Sequence, residues 1–386
     1  MKIGILCGGG DVPGLSTCLK ALVLNSLQND ASVFAIRRGW LGLININLQD
    51  SSSIDDNIVP LTADLIKKTE QFSPGLINSS RANPLRIKTE SIPSFIDSSL
   101  VRLIDSGAFA DLSQHVLKVI EALGLDVIIV LGGDDTLDVS LNLHRQGLNT
   151  IAIPKTMDND IFGTDYCLGF STAVSRSVDC INGIRSVAAS NERIAIIELF
   201  GRSSGETSLI SAYLSYADRA FIPEVPYDPM QAAQFLVEDR SNNNNNCSVA
   251  VISEGARQIN GGLIQSSYED AFGNKRLGGS GQQLSMFIRE KTGVETIYQS
   301  LGYLMRSGDP DSLDRMVARG FAKLAIELAL NREFGKMTAI RDGKYTQVPL
   351  DLTGRGSRNV DIEELYDSIC YKPQVLRLIG KPMFLY

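Results

Sequence analysis

At 386 residues, 44% of them hydrophobic and 21% charged, the chain is longer than a single hydrophobic core usually grows, and two domains are expected. That composition excludes a disordered chain and a small disulfide-stapled scaffold. Thirty-seven Lys and Arg against 44 Asp and Glu give a formal charge of −7, a field that repels nucleic acid and anionic membranes, so neither is expected as a partner.

The first apolar run, Lys2–Cys7, passes directly into Gly8-Gly9-Gly10-Asp11 and reads as a buried strand rather than a leader peptide. Apolar residues three and four apart then predict a helix over Leu15–Leu27, followed by a strand over Ser32–Arg37. Ser51–Asn57 reads as a surface excursion. Further along come a helix over Leu112–Leu123, strands over Asp126–Leu131 and Thr150–Pro154, a helix over Thr172–Val187 and a strand over Arg193–Leu199. A helix over Glu206–Tyr216 and strands over Ala220–Ile222 and Ser248–Ser253 complete the middle of the chain. The asparagine run Asn242–Asn246 reads as a solvent loop, Ile259–Lys275 as another surface excursion, and Leu313–Leu330 as a late helix. Short apolar strands alternating with helices predict an α/β fold with a mainly parallel sheet covered on both faces.

Cys7, Cys18, Cys167, Cys180, Cys247 and Cys370 are scattered without metal-type or disulfide-type spacing, and read as thiols of a reducing compartment. No stretch approaches the roughly 20 apolar residues of a membrane helix, so a cytoplasmic protein is expected.

In open α/β sheets ligands gather at the carboxyl ends of strands, and several strand ends here carry unusual residues. Cys7–Gly14 (CGGGDVPG) lets backbone N–H groups approach an anion before a helix, although a tight strand-to-helix turn accounts for it equally. Leu131–Thr136 (LGGDDT) sets Asp134 beside Asp135, a repulsion that a cation would relieve; helix initiation is the alternative. Pro154–Asp160 (PKTMDND) groups Lys155 and Thr156, suited to phosphoryl oxygens, with Asp158, suited to accept a hydroxyl proton. Phe200–Gly205 (FGRSSG) offers Arg202 as a fork for phosphate, or as a solvated turn residue. The two histidines, His115 and His144, fall in helix patterns away from these ends, which disfavours histidine catalysis and His-rich zinc sites. Phosphate, carboxylate and metal chemistry is what these residues support.

The segments GGGDVPG, GGDDT, PKTMDND, GTDYCLGFSTA, FGRSSGE, SEGA and LGYLMRSGDPDSLDR occur in the order and approximate spacing of the phosphofructokinase A family, which the chain resembles from about residue 2 to about residue 330. The resemblance implies two doubly wound, mainly parallel lobes with the active site in their cleft. It places a donor lobe at 1–169 plus 305–355 and a sugar-phosphate lobe at 170–304 plus 356–386. Asp135 and Lys155 stand where ATP-using members have glycines, and this pair resembles the diphosphate-type branch. A carboxylate at Asp135 repels the α-phosphate of a nucleotide and Lys155 adds charge for a bare diphosphate. Val139 stands where ATP-type members carry a smaller residue, which narrows the space for a nucleotide.

The resemblance implies reversible, diphosphate-dependent phosphorylation of fructose 6-phosphate in glycolysis and gluconeogenesis. The alternatives are an ATP-dependent 6-phosphofructokinase, a diphosphate kinase of sedoheptulose 7-phosphate, or an inactive sugar-phosphate-binding paralogue. By the same resemblance Asp158 is the proton acceptor, Lys155 steadies the transferring group, Asp160 assists, and Asp134 holds Mg²⁺. Gly9, Gly10, Arg81 and Thr136 attend the phosphoryl donor. Thr156, Met157, Phe200, Gly201, Arg202, Glu254, Tyr303 and Arg306 attend the sugar phosphate, with Arg193 reaching in from a neighbouring subunit of a homodimer or homotetramer. Arg86 resembles a second donor-side arginine. Ile297 departs from the family pattern, standing where an arginine is usual, and leaves the acceptor open.

Overall fold

Strands whose residues are apolar on both faces need cover on both sides of their sheet. Lys2–Cys7, Val127–Gly132 and Thr150–Pro154 are of this kind, buried at every position except Lys2. In the computed structural model they are the central strands of a seven-stranded sheet. The structure describes residues 1–68, 76–269 and 275–380, which divide into two units.

The first unit comprises Met1–Thr156, Ile161–Leu168 and Ser312–Gly356. Its sheet runs in the order Lys344–Pro349, Lys336–Arg341, Thr150–Pro154, Val127–Gly132, Lys2–Cys7, Ser32–Ile36, Ile58–Leu61. The five inner strands are mutually parallel, while Lys344–Pro349 and Ile58–Leu61 close the edges in antiparallel pairing. Helices Leu15–Leu27 and Ser312–Leu330 pack on each other. On the sheet lies an apolar core that includes Leu6, Ile36, Trp40, Val130 and Val139. Gly124, in the left-handed region at φ 64°, ends the helix Ser113–Leu123 and turns the chain into the next strand.

The second unit comprises Met157–Asp160, Gly169–Asp311 and Ser357–Tyr386, as far as these are described. Its sheet has the order Arg219–Phe221, Ser248–Ser253, Ile194–Leu199, Thr296–Ser300, all parallel. Helix Phe170–Ser190 packs on the strand Ile194–Leu199, and helix Glu206–Leu214 on the strands Arg219–Phe221 and Ser248–Ser253. The α/β class with mainly parallel sheets is the one the strand and helix pattern predicts.

Some expectations shift. Ser51–Asn57, read as a surface excursion, lies at the surface as a short helix whose first turn is capped by the Asp50 carboxylate, which accepts from the Ser52 N–H. Helix Phe170–Ser190 runs past both ends of its apolar pattern, and Glu206–Leu214 stops short of Tyr216. The helix Pro229–Asn242 ends at the first asparagine of the run, and Asn243–Asn246 form the loop that follows, with Asn246 in the left-handed region at φ 50°. The excursion read at Ile259–Lys275 contains 270–274, which lie outside the described residues. Among the described residues no helix is long and apolar enough to cross a membrane.

The small strand Arg219–Phe221 begins one residue earlier than its apolar run because the Arg219 side chain is itself buried. Its guanidinium donates to both Asp239 oxygens, at 2.5 and 2.6 Å, and to the Cys370 carbonyl at 2.6 Å, and stacks 4.4 Å from the Phe235 ring. One side chain thus ties together a strand, a helix and the late segment of this unit. Arg219→Ala, which strands the Asp239 carboxylate in a half-dry site, is expected to lower stability by roughly 3 kcal/mol. Denaturant melts of the two proteins measure this, and coincident midpoints would contradict it.

Candidate functional site

In the first unit the chain leaves Lys2–Cys7 toward Ser32–Ile36 on one side and later returns to Val127–Gly132 on the other, so the connections diverge at the carboxyl ends of these two strands. Such a divergence opens a crevice for ligands. The loop Gly8–Gly14 lines it. The Gly8 N–H donates to the Leu131 carbonyl at 2.9 Å and the Gly9 N–H to the Ser80 carbonyl at 2.9 Å, while the Ser79 hydroxyl donates to the Gly9 carbonyl. Thr136 explains why glycine is needed here. A Cβ at Gly8 would lie 2.4 Å from its Oγ1, and one at Gly132 would lie 2.4 Å from its Cβ. The threonine side chain therefore fills the space that two glycines leave, and holds the two strand ends in contact.

Lys155 follows the third of the central strands. Its N–H donates to the Gly132 carbonyl at 3.0 Å, and its Nζ to the Gly10 carbonyl at 2.5 Å. The residue is only 2% exposed. An ammonium so far from water needs oxygen partners; here the glycine loop supplies one. Asp134 and Asp135 occupy the first turn of the helix Asp134–Arg145, where the helix dipole favours acids, Asp134 half-buried and Asp135 exposed. Cys7 lies below the loop. Burial pushes its thiol up, and the Lys155 charge opposes this only in part.

Arg81, exposed, follows Ser80, whose backbone bridges to Gly8, so the glycine loop and Arg81 are neighbours. Arg86 is engaged elsewhere, paired with Asp105 and stacked 3.7 Å from the Phe109 ring. Val139 is 1% exposed within the core, which corrects its expected place beside a nucleotide: it faces the sheet because it falls on the apolar stripe of its helix. Both histidines have structural tasks. His115 contacts the Ile44 carbonyl at 3.2 Å and His144 the Leu148 carbonyl at 2.8 Å.

Thr156, half-buried, is the last residue of its segment in the first unit, and Met157–Asp160 belong to the second. There the Thr207 hydroxyl donates to the Met157 carbonyl at 2.7 Å. Asn159, fully buried at φ 54°, donates from Nδ2 to Glu206 Oε1 at 2.9 Å, and the Arg358 N–H donates to the Asp160 carbonyl at 2.6 Å. Asp158, half-buried, sits between these anchors. Burial raises the Glu206 carboxyl above its ordinary range, against the lowering effect of its ion pair with Arg358 and of the Asn159 hydrogen bond. Neither Glu206 nor Arg358 was singled out from sequence.

The carboxyl ends of Ile194–Leu199 and Ser248–Ser253 are stitched together. Glu254 N–H donates to the Leu199 carbonyl at 2.8 Å, Gly255 N–H to the Gly201 carbonyl at 3.1 Å, and the Ser253 hydroxyl to the same carbonyl at 2.5 Å. Phe200 carries the Arg306 guanidinium 4.7 Å from its ring centre and meets Tyr303 edge-on at 5.9 Å. Phe200, Gly201, Glu254, Tyr303 and Arg306 thus share one end of the sheet. Arg202 and Arg257 line an adjoining cavity of about 610 Å³ with Glu224, Gly255, Asn359 and Val360. Arg193 is not with them. It precedes Ile194, whose N–H donates to the Glu295 carbonyl, and so lies with Ile297 at the amino end of the sheet. A six-residue strand separates the two ends by about 20 Å.

The family model described as phosphofructokinase matches residues 2–329. The chain is 34% identical over 358 residues to a pyrophosphate–fructose 6-phosphate 1-phosphotransferase of Thermoproteus tenax, covering 92% of this chain and 94% of that one. It is 26% identical over 367 residues to an ATP-dependent 6-phosphofructokinase of Clostridium botulinum, covering 95% and 97%. A crystal structure of a pyrophosphate-dependent phosphofructokinase from Nitrosospira multiformis superposes with a TM-score of 0.74 at 14% identity, over 99% of this chain and 95% of that one, a likeness of fold.

The burial of Cys7, Cys18, Cys167 and Cys247 leaves Cys180 and Cys370 partly accessible. Burial also pushes the Cys18 and Cys180 thiols up. Ellman titration of the native protein at pH 8 is therefore expected to label no thiol beyond these two, with the remainder appearing only in denaturant; rapid native labelling of Cys7, mapped by peptide mass, would contradict the packing beneath the glycine loop.

Proposed function

The chain belongs to the phosphofructokinase family and is a phosphotransferase, and from that premise we propose that it transfers the terminal phosphoryl group of diphosphate to the 1-hydroxyl of fructose 6-phosphate. Lys155 carries this reading: a nearly buried ammonium, held against Gly10 at the crevice of the first unit, supports recognition of a small, highly charged donor. Asp135, on the neighbouring helix turn, disfavours the further phosphate of a nucleotide.

In the reaction Asp158 accepts the proton of the 1-hydroxyl as that oxygen attacks the terminal phosphorus. The bond from this phosphorus to the bridging oxygen breaks, and phosphate leaves. Lys155 and the N–H groups around Gly9 and Gly10 stabilise the charge that moves onto the phosphate oxygens, with Arg81 beside them. Thr156 and Met157 line the path of the transferred group and Asp160 supports the loop. Phe200, Gly201, Arg202 and Glu254 orient the sugar, and Arg306 with Tyr303 holds its 6-phosphate. Arg193, at the far end of its own sheet, serves the site of a neighbouring subunit, so the active species is a homodimer or homotetramer.

The residues fit Mg²⁺. Among the described residues no group of three or more His, Cys, Asp or Glu forms a metal cage. Mg²⁺ instead suits one or two carboxylates together with substrate phosphates and water, and Asp134 is the carboxylate that would hold it. When bound, it neutralises phosphate charge.

A coupled assay with fructose 6-phosphate and Mg²⁺ tests the donor. Turnover is expected with diphosphate and at least about 100-fold less with ATP, and Asp135→Gly combined with Lys155→Gly is expected to reverse the preference. Turnover with ATP alone would overturn the reading, and sedoheptulose 7-phosphate run in parallel decides the acceptor. Chelation by EDTA is expected to abolish turnover and added Mg²⁺ to restore it; activity that survives exhaustive chelation would remove the metal from the proposal.

A further inference from the structure

The loop that carries Asp158 is gripped by a segment that lies outside the motif itself. Asn159 is fully buried in a left-handed conformation, so its side chain points inward, and its amide donates to Glu206. The other Glu206 oxygen is paired with the Arg358 guanidinium. Arg358 returns to the loop by a second route, its backbone N–H donating to the Asp160 carbonyl at 2.6 Å. Two residues on, the Val360 N–H donates to Glu224 at 3.1 Å, and the same carboxylate accepts from the Gly205 N–H at 2.9 Å. Gly205 caps the helix whose first residues are Glu206 and Thr207. Thr207 holds the Met157 carbonyl, so the residues on both sides of Asp158 rest on this helix and on the strap Arg358–Val360.

A buried carboxylate paired with a guanidinium seldom stabilises a fold more than well-packed apolar residues would. What such a pair provides is a fixed geometry, and here it ends at the loop that bears the base. We propose that Arg358 is a positioning residue for Asp158, acting through Glu206 on Asn159 and through its own N–H on Asp160. The inference rests on the reading of Asp158 as the base. The strap also lines the cavity beside Arg202, which places the positioning device next to the sugar-side residues.

The test uses the full chain with fructose 6-phosphate, Mg²⁺ and whichever of diphosphate or ATP supports turnover. Arg358→Ala is expected to lower kcat by at least about tenfold while the KM for fructose 6-phosphate changes by less than about twofold, the split expected when reaction geometry rather than binding is lost. Arg358→Lys keeps the charge but loses the fork, and an intermediate kcat with a near-native melting temperature is expected. Asn159→Ala combined with Arg358→Ala is expected to be no slower than the slower single variant, as for residues in one chain of contacts. Multiplicative losses in the double variant, or wild-type kcat in folded Arg358→Lys and Arg358→Ala, would overturn the proposal. Should Arg358→Ala fail to fold, Arg358→Lys decides alone. Asp158→Asn separates the two levels: if it retains turnover, the reading of the base falls and the positioning role with it. If it abolishes turnover while the Arg358 variants are unimpaired, only the positioning role falls. Wild-type protein inactive with both donors overturns both.

Discussion

A lysine ammonium removed from water has to be met by oxygen, and the first unit is organised around meeting it. Lys155 reaches its place because its strand runs parallel to Val127–Gly132, which in turn is parallel to Lys2–Cys7, so three carboxyl ends finish side by side. The Gly10 carbonyl comes within 2.5 Å of Nζ. That approach requires the loop to lie flat on the strand ends, and Thr136, wedged against Gly8 and Gly132, sets the separation. A larger residue at either glycine would lift the loop and take the carbonyl away from the charge. Parallel topology, glycine content and buried charge are thus parts of one arrangement.

The second unit solves a different problem. A short polar loop, Met157–Asp160, contains a fully buried asparagine with a positive φ, a conformation that needs outside support. Support comes from a helix start and from a late segment rather than from neighbours in sequence. Desolvation works against the Glu206 charge in this arrangement, and the Arg358 pair and the Asn159 amide work for it. The balance is set by geometry, which explains why these groups lie so deep.

Much of the fold could be read before the structure because its strands are buried on both faces. Lys2–Cys7, Thr150–Pro154 and Ser248–Ser253 carry short apolar runs followed by glycine, lysine or glutamate, and their bounds are the ones the pattern predicts. Thr296–Ser300, an edge strand with mixed polarity, gave no such signal. The candidate residues Asp134, Lys155 and Asp158 could be singled out for the same reason, since they follow strands that are easy to see. Val139 was misread because a motif position says nothing about which face of a helix it occupies. Glu206 left one clue: it is the only charged residue of a helix whose first seven residues are all buried. Arg358 left none, because its partner is fixed by tertiary contact across 152 residues.

That separation has a consequence for biosynthesis. Ribosomes add residues from the amino end, so the loop containing Asp158 and the helix beginning at Glu206 are both complete long before Arg358 exists. Until the strap is made, the Glu206 carboxylate lacks its counter-charge and Asn159 lacks a firmly held acceptor. During that interval the second sheet can already pair, since Ile194–Leu199, Arg219–Phe221, Ser248–Ser253 and Thr296–Ser300 all precede the strap. In chain order, therefore, every strand of the second sheet is complete before the segment that clamps the loop Met157–Asp160.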